Sequence, residues 1–214
     1  MTSTEPIADF FDRECCAAVD AGASAVPGSA GVTAVLLDGL EEAGIQGLSV
    51  LEFGSGAGGL SRELIGRGAA SVTGIDLSPM SVEHATAEAS RAGLGERLHY
   101  RLGDGAETPL ELFDAIVSQK VFCCYPQPER LMANTLPSAR RVYALVLPQS
   151  RGIVGLIARA IVAVENVARR VRGDRFRAYV HDVRRIDAAI RAAGFERRLA
   201  RRHWAWLVLV YTRS

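Results

Sequence analysis

The chain has 214 residues, of which 49% are hydrophobic and 23% charged, and its formal net charge is +1. This size and composition predict one globular domain over residues 1–214, large enough for a core of its own. A charge balance so close to neutral produces no strong field for a polyanion, so we do not expect a nucleic acid partner.

Targeting and redox signals are also missing from the sequence. Residues 1–12 lack the layout of a signal peptide, and no apolar run is long enough to form an integral membrane segment. The four cysteines stand in two adjacent pairs, Cys15-Cys16 and Cys123-Cys124. Neighbouring cysteines bridge each other poorly, and C-x-x-C spacing is absent. We therefore predict reduced thiols, no metal site and a cytoplasmic location.

Two helices are predicted at the start of the chain. Helical spacing of apolar residues favours one helix over 6–24 and a second over 30–44, separated by Pro27-Gly28. We assign residues 1–44 to an N-terminal helical cap. Phe10 and Phe11 on the first helix would either close over a bound ligand or attach the helix to the core.

Residues 45–150 alternate short apolar runs with amphipathic segments. This alternation predicts a parallel sheet with helices on both faces. The predicted strands are 48–53, 71–76, 98–102, 113–118 and 142–147. The predicted helices are 58–67, 79–92 and 126–136, the second of them started by Ser78-Pro79.

The last third of the chain departs from simple alternation. A long amphipathic helix is predicted over 153–171, within a helical insertion or substrate cap of residues 151–182. It would pack on the domain or, alternatively, contact a lipid surface. Residues 183–214 should form a helix over 183–193 and a C-terminal antiparallel hairpin with strands 195–199 and 204–211.

The most informative motif is Glu52-Phe-Gly54-Ser55-Gly56-Ala-Gly58, which connects a predicted buried strand to a helix. Glycines permit positive φ and let a ligand approach where a Cβ would clash. With Gly59, the loop also satisfies the G-x-G-x-x-G pattern of dinucleotide-binding proteins, which is weak alone. The pattern E-x-G-x-G-x-G resembles the first signature of class I S-adenosylmethionine (SAM)-dependent methyltransferases. Glu52 suits the cationic SAM better than a pyrophosphate.

Three further signatures follow in order. Asp76, followed by Leu77, ends the second predicted strand, where an acid can accept the hydroxyls of a ribose. The resemblance implies that Asp104 accepts the adenine amine, with Gly105 leaving room for the ring. It also implies that Ser118 and Gln119 lie beneath the methionine portion of SAM. Together these motifs imply a Rossmann-like, seven-stranded class I methyltransferase sheet.

Within that class, the chain resembles small bacterial relatives of magnesium-protoporphyrin O-methyltransferase. The segments that carry this resemblance are 121–126 and 176–181. We expect methyl transfer from SAM to a small-molecule acceptor, at oxygen, with His181 as base or acceptor contact and Tyr125 at the pocket mouth. Lys120, beside Tyr125, would pair with an acidic group of the substrate.

Two other functions stay open at this point. The chain could be a non-catalytic SAM- or nucleoside-binding protein of the same fold, because no base is obvious. It could also be an NAD-dependent oxidoreductase, which Glu52 and the predicted hairpin disfavour. The sequence does not decide the acceptor, and it leaves a homodimer open.

Overall fold

The computed structural model of the chain describes residues 4–20 and 30–213. Its helices are α1 (Glu5–Asp20), α2 (Ala30–Glu42), α3 (Gly59–Gly66), α4 (Pro79–Arg91), α5 (Pro128–Thr135), α6 (Gly152–Val171) and α7 (Val183–Ala192). Its strands are β1 (Ser49–Phe53), β2 (Ser71–Asp76), β3 (Leu98–Leu102), β4 (Phe113–Gln119), β5 (Ala139–Pro148), β6 (Glu196–His203) and β7 (Trp206–Thr212). The predicted end of the first helix and the break at Pro27-Gly28 lie outside the described residues.

The strands form one sheet in the order β3-β2-β1-β4-β5-β7-β6. Strands β1 to β5 pair in parallel, whereas β7 runs antiparallel to both β5 and β6. The predicted seven-stranded class I sheet with a C-terminal antiparallel hairpin is therefore confirmed. The strand order reverses between β1 and β4, and open α/β sheets bind ligands at the carboxyl ends of the strands at such a point.

Alternate side chains of the strands pack into two apolar cores, one on each face of the sheet. Leu51 and Phe53 belong to the core that includes residues of α1, α5 and α7, whereas Val50 belongs to the core formed with α2 and α3. Because successive side chains of a strand point to opposite faces, β1 contributes to both cores. This packing holds the carboxyl ends of β1, β2 and β4 in fixed positions.

The C-terminal hairpin differs from its predicted boundaries. The first strand was expected to end at 199, but β6 continues to His203 and the turn falls at Trp204-Ala205. Trp204 has a positive φ of 53°, which suits a tight turn. β6 is an edge strand, and most side chains of its second half are exposed and include two arginines. This half of the strand therefore lacks the apolar residues by which a strand is predicted.

Helix α6 has the predicted position and an unexpected orientation. Only Gly155 of its twenty residues is buried. Its large apolar side chains are exposed, which contradicts the first of the two expectations for this helix, that its apolar face packs on the domain. Within the described residues, no helix combines the length and apolar character that a membrane span requires.

Candidate active site

Three glycines shape the loop between β1 and α3, each for its own reason. Gly54, Gly56 and Gly58 all have positive φ, between 50° and 75°. A Cβ on Gly54 would overlap the Val121 side chain, and a Cβ on Gly58 would lie 2.5 Å from the Tyr100 hydroxyl. A Cβ on Gly56 would meet no atom within 4 Å. Gly54 and Gly58 are therefore required by packing, whereas Gly56 faces open space.

That open space belongs to a cavity at the carboxyl ends of β1, β2 and β4. Counted out to its mouth and including open solvent, the cavity holds about 580 Å³. Eight of the residues given a site role from the sequence line it: Gly54, Gly56, Asp76, Leu77, Gly105, Gln119, Lys120 and Tyr125. The other lining residues are Ile7, Phe11, Phe53, Ile75, Ser81, Gly103, Val121 and Cys124.

Asp76 joins the glycine loop to the start of α4. One carboxylate oxygen accepts the Gly56 N–H at 2.8 Å, and the other accepts the Ser78 N–H at 2.9 Å. Burial raises the pKa of Asp76, an effect that these two N–H donors oppose. Each carboxylate oxygen can accept more than one hydrogen bond, so both remain able to accept ligand hydroxyls. The loop is thus held in place by the same group that would contact a ribose.

Asp104 and Tyr125 form a second polar pair. The Tyr125 hydroxyl donates to Asp104 Oδ1 at 2.8 Å, and the Ala106 N–H donates to the same oxygen at 2.8 Å. Burial is the main cause that raises the pKa of Tyr125 far above its usual range, and the negative charge of Asp104 adds to it. Tyr125 lines the cavity but Asp104 does not. The tyrosine is therefore a neutral wall residue whose proton is already donated.

Glu52 lies beneath the loop and does not line the cavity. Its side chain is 2% exposed and accepts a hydrogen bond from the Ser61 hydroxyl of α3. Burial raises the pKa of Glu52 to about 8; the Ser61 hydrogen bond opposes the rise, and the charge of Asp76 adds to it. At neutral pH the group is therefore mostly protonated, and it connects β1 to α3.

Three more predicted residues, Ser55, Gly58 and Ser118, lie outside the cavity lining. Gly58 is the N-terminal cap of α3. Ser55 and Ser118 are buried, and neither hydroxyl oxygen has a hydrogen-bond partner in the part of the chain that the structure describes. Buried hydroxyls are normally satisfied, so these two, one in the glycine loop and one near the end of β4, are exceptions among the described residues.

Gln119 and Lys120 follow β4 directly. The Gln119 amide donates to the Thr33 hydroxyl of α2 at 2.8 Å. Lys120 has a positive φ of 63°, and its Nζ lies 5.0 Å from the centre of the Trp206 ring. Burial lowers the pKa of Lys120. Non-glycine residues held at positive φ are concentrated at functional sites, and here the conformation accompanies a lysine in the cavity lining.

His181 lies beside the cavity wall and does not line it. Its Nε2 is 3.0 Å from the Phe122 carbonyl oxygen and 2.9 Å from that of Tyr125. Carbonyl oxygens only accept, so Nε2 carries the proton and donates to both. Any role as a base would therefore fall to Nδ1. The histidine holds the 3₁₀ turn Phe122–Cys124, which brings Cys124 and Tyr125 to the cavity.

Helix α1 covers the cavity, and the sequence indicated only the aromatic part of its attachment. Ile7 and Phe11 line the cavity, whereas Phe10 stacks on Phe176 with ring centres 4.3 Å apart. Asp12 accepts the Ser78 hydroxyl at 2.5 Å and the Met80 N–H at 3.2 Å. A carboxylate at the start of α4 is favourable for the helix dipole. Asp12 belongs to none of the sequence motifs, so nothing in the sequence indicated its role.

The family model and the two relatives reported next are described as methyltransferases. Residues 50–143 match the family model described as "Methyltransferase domain". The ribosomal protein L11 methyltransferase of Yersinia pseudotuberculosis is 30% identical over 141 residues, or 64% of this chain and 43% of that protein. The chain thus spans less than half the length of this relative. The probable chloroplastic tocopherol O-methyltransferase of Oryza sativa subsp. japonica is 39% identical over 61 residues, 28% of this chain and 17% of that protein.

A solved structure matches nearly the whole chain. Magnesium protoporphyrin IX methyltransferase from Synechocystis PCC 6803, crystallised with bound SAH, superposes with a TM-score of 0.77 at 20% identity. The alignment covers 99% of this chain and 100% of that chain. At this identity the likeness shows the fold alone. Residues 50–143 are therefore similar to a methyltransferase domain, and the sheet has the fold that class I SAM-dependent methyltransferases share.

Proposed function

We propose that the chain binds SAM in the cavity and transfers its methyl group to an oxygen atom of a small-molecule acceptor. One observation carries the proposal: Gly56 presents bare backbone to the cavity, and Asp76 holds that backbone while keeping acceptor capacity of its own. A cofactor with a ribose needs this combination of close approach and hydrogen-bond acceptors. Bound SAM would supply a methyl group for in-line displacement.

In this proposal, residues of the cavity lining would contact each part of SAM. Asp76 would accept the ribose hydroxyls. Gly105 would leave space for the adenine ring. Asp104 would either accept a hydrogen bond from the adenine amine or orient Tyr125 against the ring, because the Tyr125 hydroxyl already occupies one of its oxygens. Gln119 and the backbone of Gly54 and Gly56 would surround the methionine portion. Glu52 supports the loop from below and, in its protonated form, adds no charge of its own.

The acceptor side of the site is assigned to Lys120 and the neighbouring turn. Lys120 lines the cavity, and among the described residues no carboxylate lies within 4.0 Å of its Nζ. Its lowered pKa has burial as the main cause, so an anionic acceptor group that replaced the lost water would favour the charged lysine. A small acidic acceptor agrees with this chemistry. The relative whose name specifies O-methylation and the full-length match to a porphyrin methyltransferase support the choice of oxygen and a small molecule.

The role of His181 as a base stays a prediction, with Nδ1 as the only free ring nitrogen. Tyr125 is a poor base because its hydroxyl proton is donated to Asp104. Transfer to an acceptor that is already ionised would need alignment alone. The engagement of both side chains also favours a second candidate, a SAM- or nucleoside-binding protein without catalysis. Cytoplasmic location, a homodimer and the lack of nucleic acid partners likewise stay predictions.

Binding calorimetry with SAM, S-adenosylhomocysteine and NAD tests the proposal. Gly56→Val should weaken SAM binding by more than about a hundredfold, because the valine side chain would fill the space in which the cofactor approaches the Gly56 backbone. Gly93→Val is the matched control: Gly93 also has positive φ and open space around its Cβ position, but it follows α4 and does not line the cavity.

The outcomes separate the candidate functions. Equal SAM affinity in both glycine variants would show that the cofactor site is misplaced. Preference for NAD would replace methyl transfer with oxidoreduction. Tight SAM binding without labelled methyl transfer to any compound of a metabolite extract would favour the non-catalytic candidate.

A further inference from the structure

The strongest feature outside the cavity is the outer face of α6. Eight of the twelve exposed large hydrophobic residues in the described part of the chain lie on this one helix. They are Ile153, Val154, Leu156, Ile157, Ile161, Val164, Val167 and Val171, with exposed fractions from 41% to 82%. Scattered exposed apolar residues need no explanation, but a contiguous patch marks an interaction surface.

These residues form a single stripe along the helix. Ile153, Ile157, Val164 and Val171 follow one another at spacings of four and seven residues, which places them on one face. At 1.5 Å per residue the stripe is roughly 30 Å long. We call it the α6 stripe. Its length is that of the whole helix, so the surface is not the chance exposure of one turn.

The opposite face of α6 is attached to the protein by polar contacts. The Asn166 amide donates to the Ala178 carbonyl at 2.8 Å and accepts the Ala178 N–H at 2.9 Å. Arg169 lies over the Phe10 ring, with 4.6 Å between the guanidinium carbon and the ring centre, and pairs with Asp174. These contacts fix which face points outward. The α6 stripe is therefore a defined, outward-facing surface.

Basic residues border the stripe. Arg151, Arg159, Arg170 and Arg172 are exposed, and Glu165 is the one acidic residue of the helix. None of the four arginines has a carboxylate within 4.0 Å among the residues that the structure describes. An apolar face with unpaired basic residues along its edges complements a surface that is apolar inside and anionic at its boundary.

We propose that the α6 stripe docks on an anionic lipid surface, with the apolar side chains at the acyl boundary and the arginines among the headgroups. A second copy of the chain fits less well. In an antiparallel two-fold packing of α6 on α6, the same edge of both helices meets, and one edge carries Arg159 and Arg170, three turns apart. Like charges would then face each other. The proposal concerns a surface separate from the cavity and does not depend on methyl transfer.

Sedimentation with vesicles tests the docking. The full chain should bind equimolar phosphatidylcholine–phosphatidylglycerol vesicles more strongly than pure phosphatidylcholine, and added salt should weaken the binding. The double variant Ile157→Asp, Val164→Asp should bind the mixed vesicles at least about tenfold more weakly. The control is Leu102→Asp, Leu112→Asp, which changes two side chains of similar exposure (57% and 55%) away from α6 and should bind as the parent does.

Other results would overturn the proposal. The parent could fail to bind either vesicle, or the α6 double variant could bind as well as the parent. The chain could also be a dimer in sedimentation velocity that the α6 variant dissociates, which would assign the stripe to a second copy. A circular dichroism spectrum and SAM affinity equal to those of the parent would show that the variant is folded. The variant Arg159→Ala, Arg170→Ala should lose binding to the anionic vesicles specifically.

Discussion

Helices α1 and α6 both lie outside the alternating strands and helices of the sheet, yet they turn opposite faces to the protein. The apolar side of α1 is covered: Ile7 is 7% exposed and lines the cavity. The apolar side of α6 is uncovered: Ile153 is 78% exposed and Val171 82%. The anchor of α1 combines aromatic stacking with the carboxylate of Asp12, whereas polar side chains hold α6. Amphipathic spacing thus identifies a face without identifying what covers it.

The largest difference between the cavity covered by α1 and the exposed helix α6 is expected in the pH dependence of stability. Its source is Glu52, which is buried beneath the glycine loop of the cavity. Its pKa is raised to about 8 in the folded chain, from 4.5. Between these values the folded chain holds a proton that the unfolded chain has released, so the free energy of unfolding should fall as pH rises. The loss is about 1.4 kcal/mol per pH unit at most.

Glu52→Gln should remove this slope, which urea unfolding between about pH 5.5 and pH 8 would measure. Glu165→Gln on the exposed α6 is the control and should keep the slope of the parent. Parallel stability curves for the parent and Glu52→Gln would contradict the buried, protonated state of Glu52.

A matched pair of isoleucines compares the packing of the two helices directly. Ile7→Ala should lower the free energy of unfolding by about 2 kcal/mol, because it removes buried apolar contacts under α1. Ile153→Ala, on the exposed stripe, should stay within about 0.5 kcal/mol of the parent. Denaturant titration of both variants measures the difference. Equal losses would mean that the stripe is covered in solution.

A smaller effect is expected at the polar anchor of α1. Asp12→Ala removes the acceptor of the Ser78 hydroxyl and of the Met80 N–H. The cost of about 1 kcal/mol should appear as a roughly fivefold weaker affinity for SAM, because α1 would close less firmly. Asp9→Ala changes an exposed acid of the same helix and should leave the affinity unchanged. If calorimetric titration gave the same SAM affinity for both variants, the attachment of α1 would have no part in cofactor binding.

Sequence alone predicted the sheet and half of the cavity lining, for a physical reason. Buried parallel strands need continuous apolar runs, and the turns at their carboxyl ends need glycine or a helix cap, as at Gly54 and Ser78. These signals are local. The residues at and after the carboxyl end of each strand therefore predicted the edge of the sheet where Asp76 and Gln119 both line the cavity.

What the sequence missed depends on contacts between distant segments. The Glu52 side chain points away from the cavity because it accepts a hydrogen bond from Ser61. The Nε2 hydrogen bonds of His181 go to carbonyl oxygens more than fifty residues away in the sequence. The end of β6 was missed because an edge strand carries exposed arginines. The orientation of α6 was missed because its inner face is held by one asparagine and one arginine, which carry no periodic signal.

The bond between His181 and the turn has a consequence for how this site can diversify. Both acceptors are main-chain carbonyl oxygens, those of Phe122 and Tyr125. Every residue type provides the same carbonyl, so Cys123 and Cys124 can be exchanged without loss of the anchor. The turn can thus present new side chains to the cavity while its backbone keeps its place. A rigid frame with exchangeable contents allows substrate preference to drift faster than the fold that supports it.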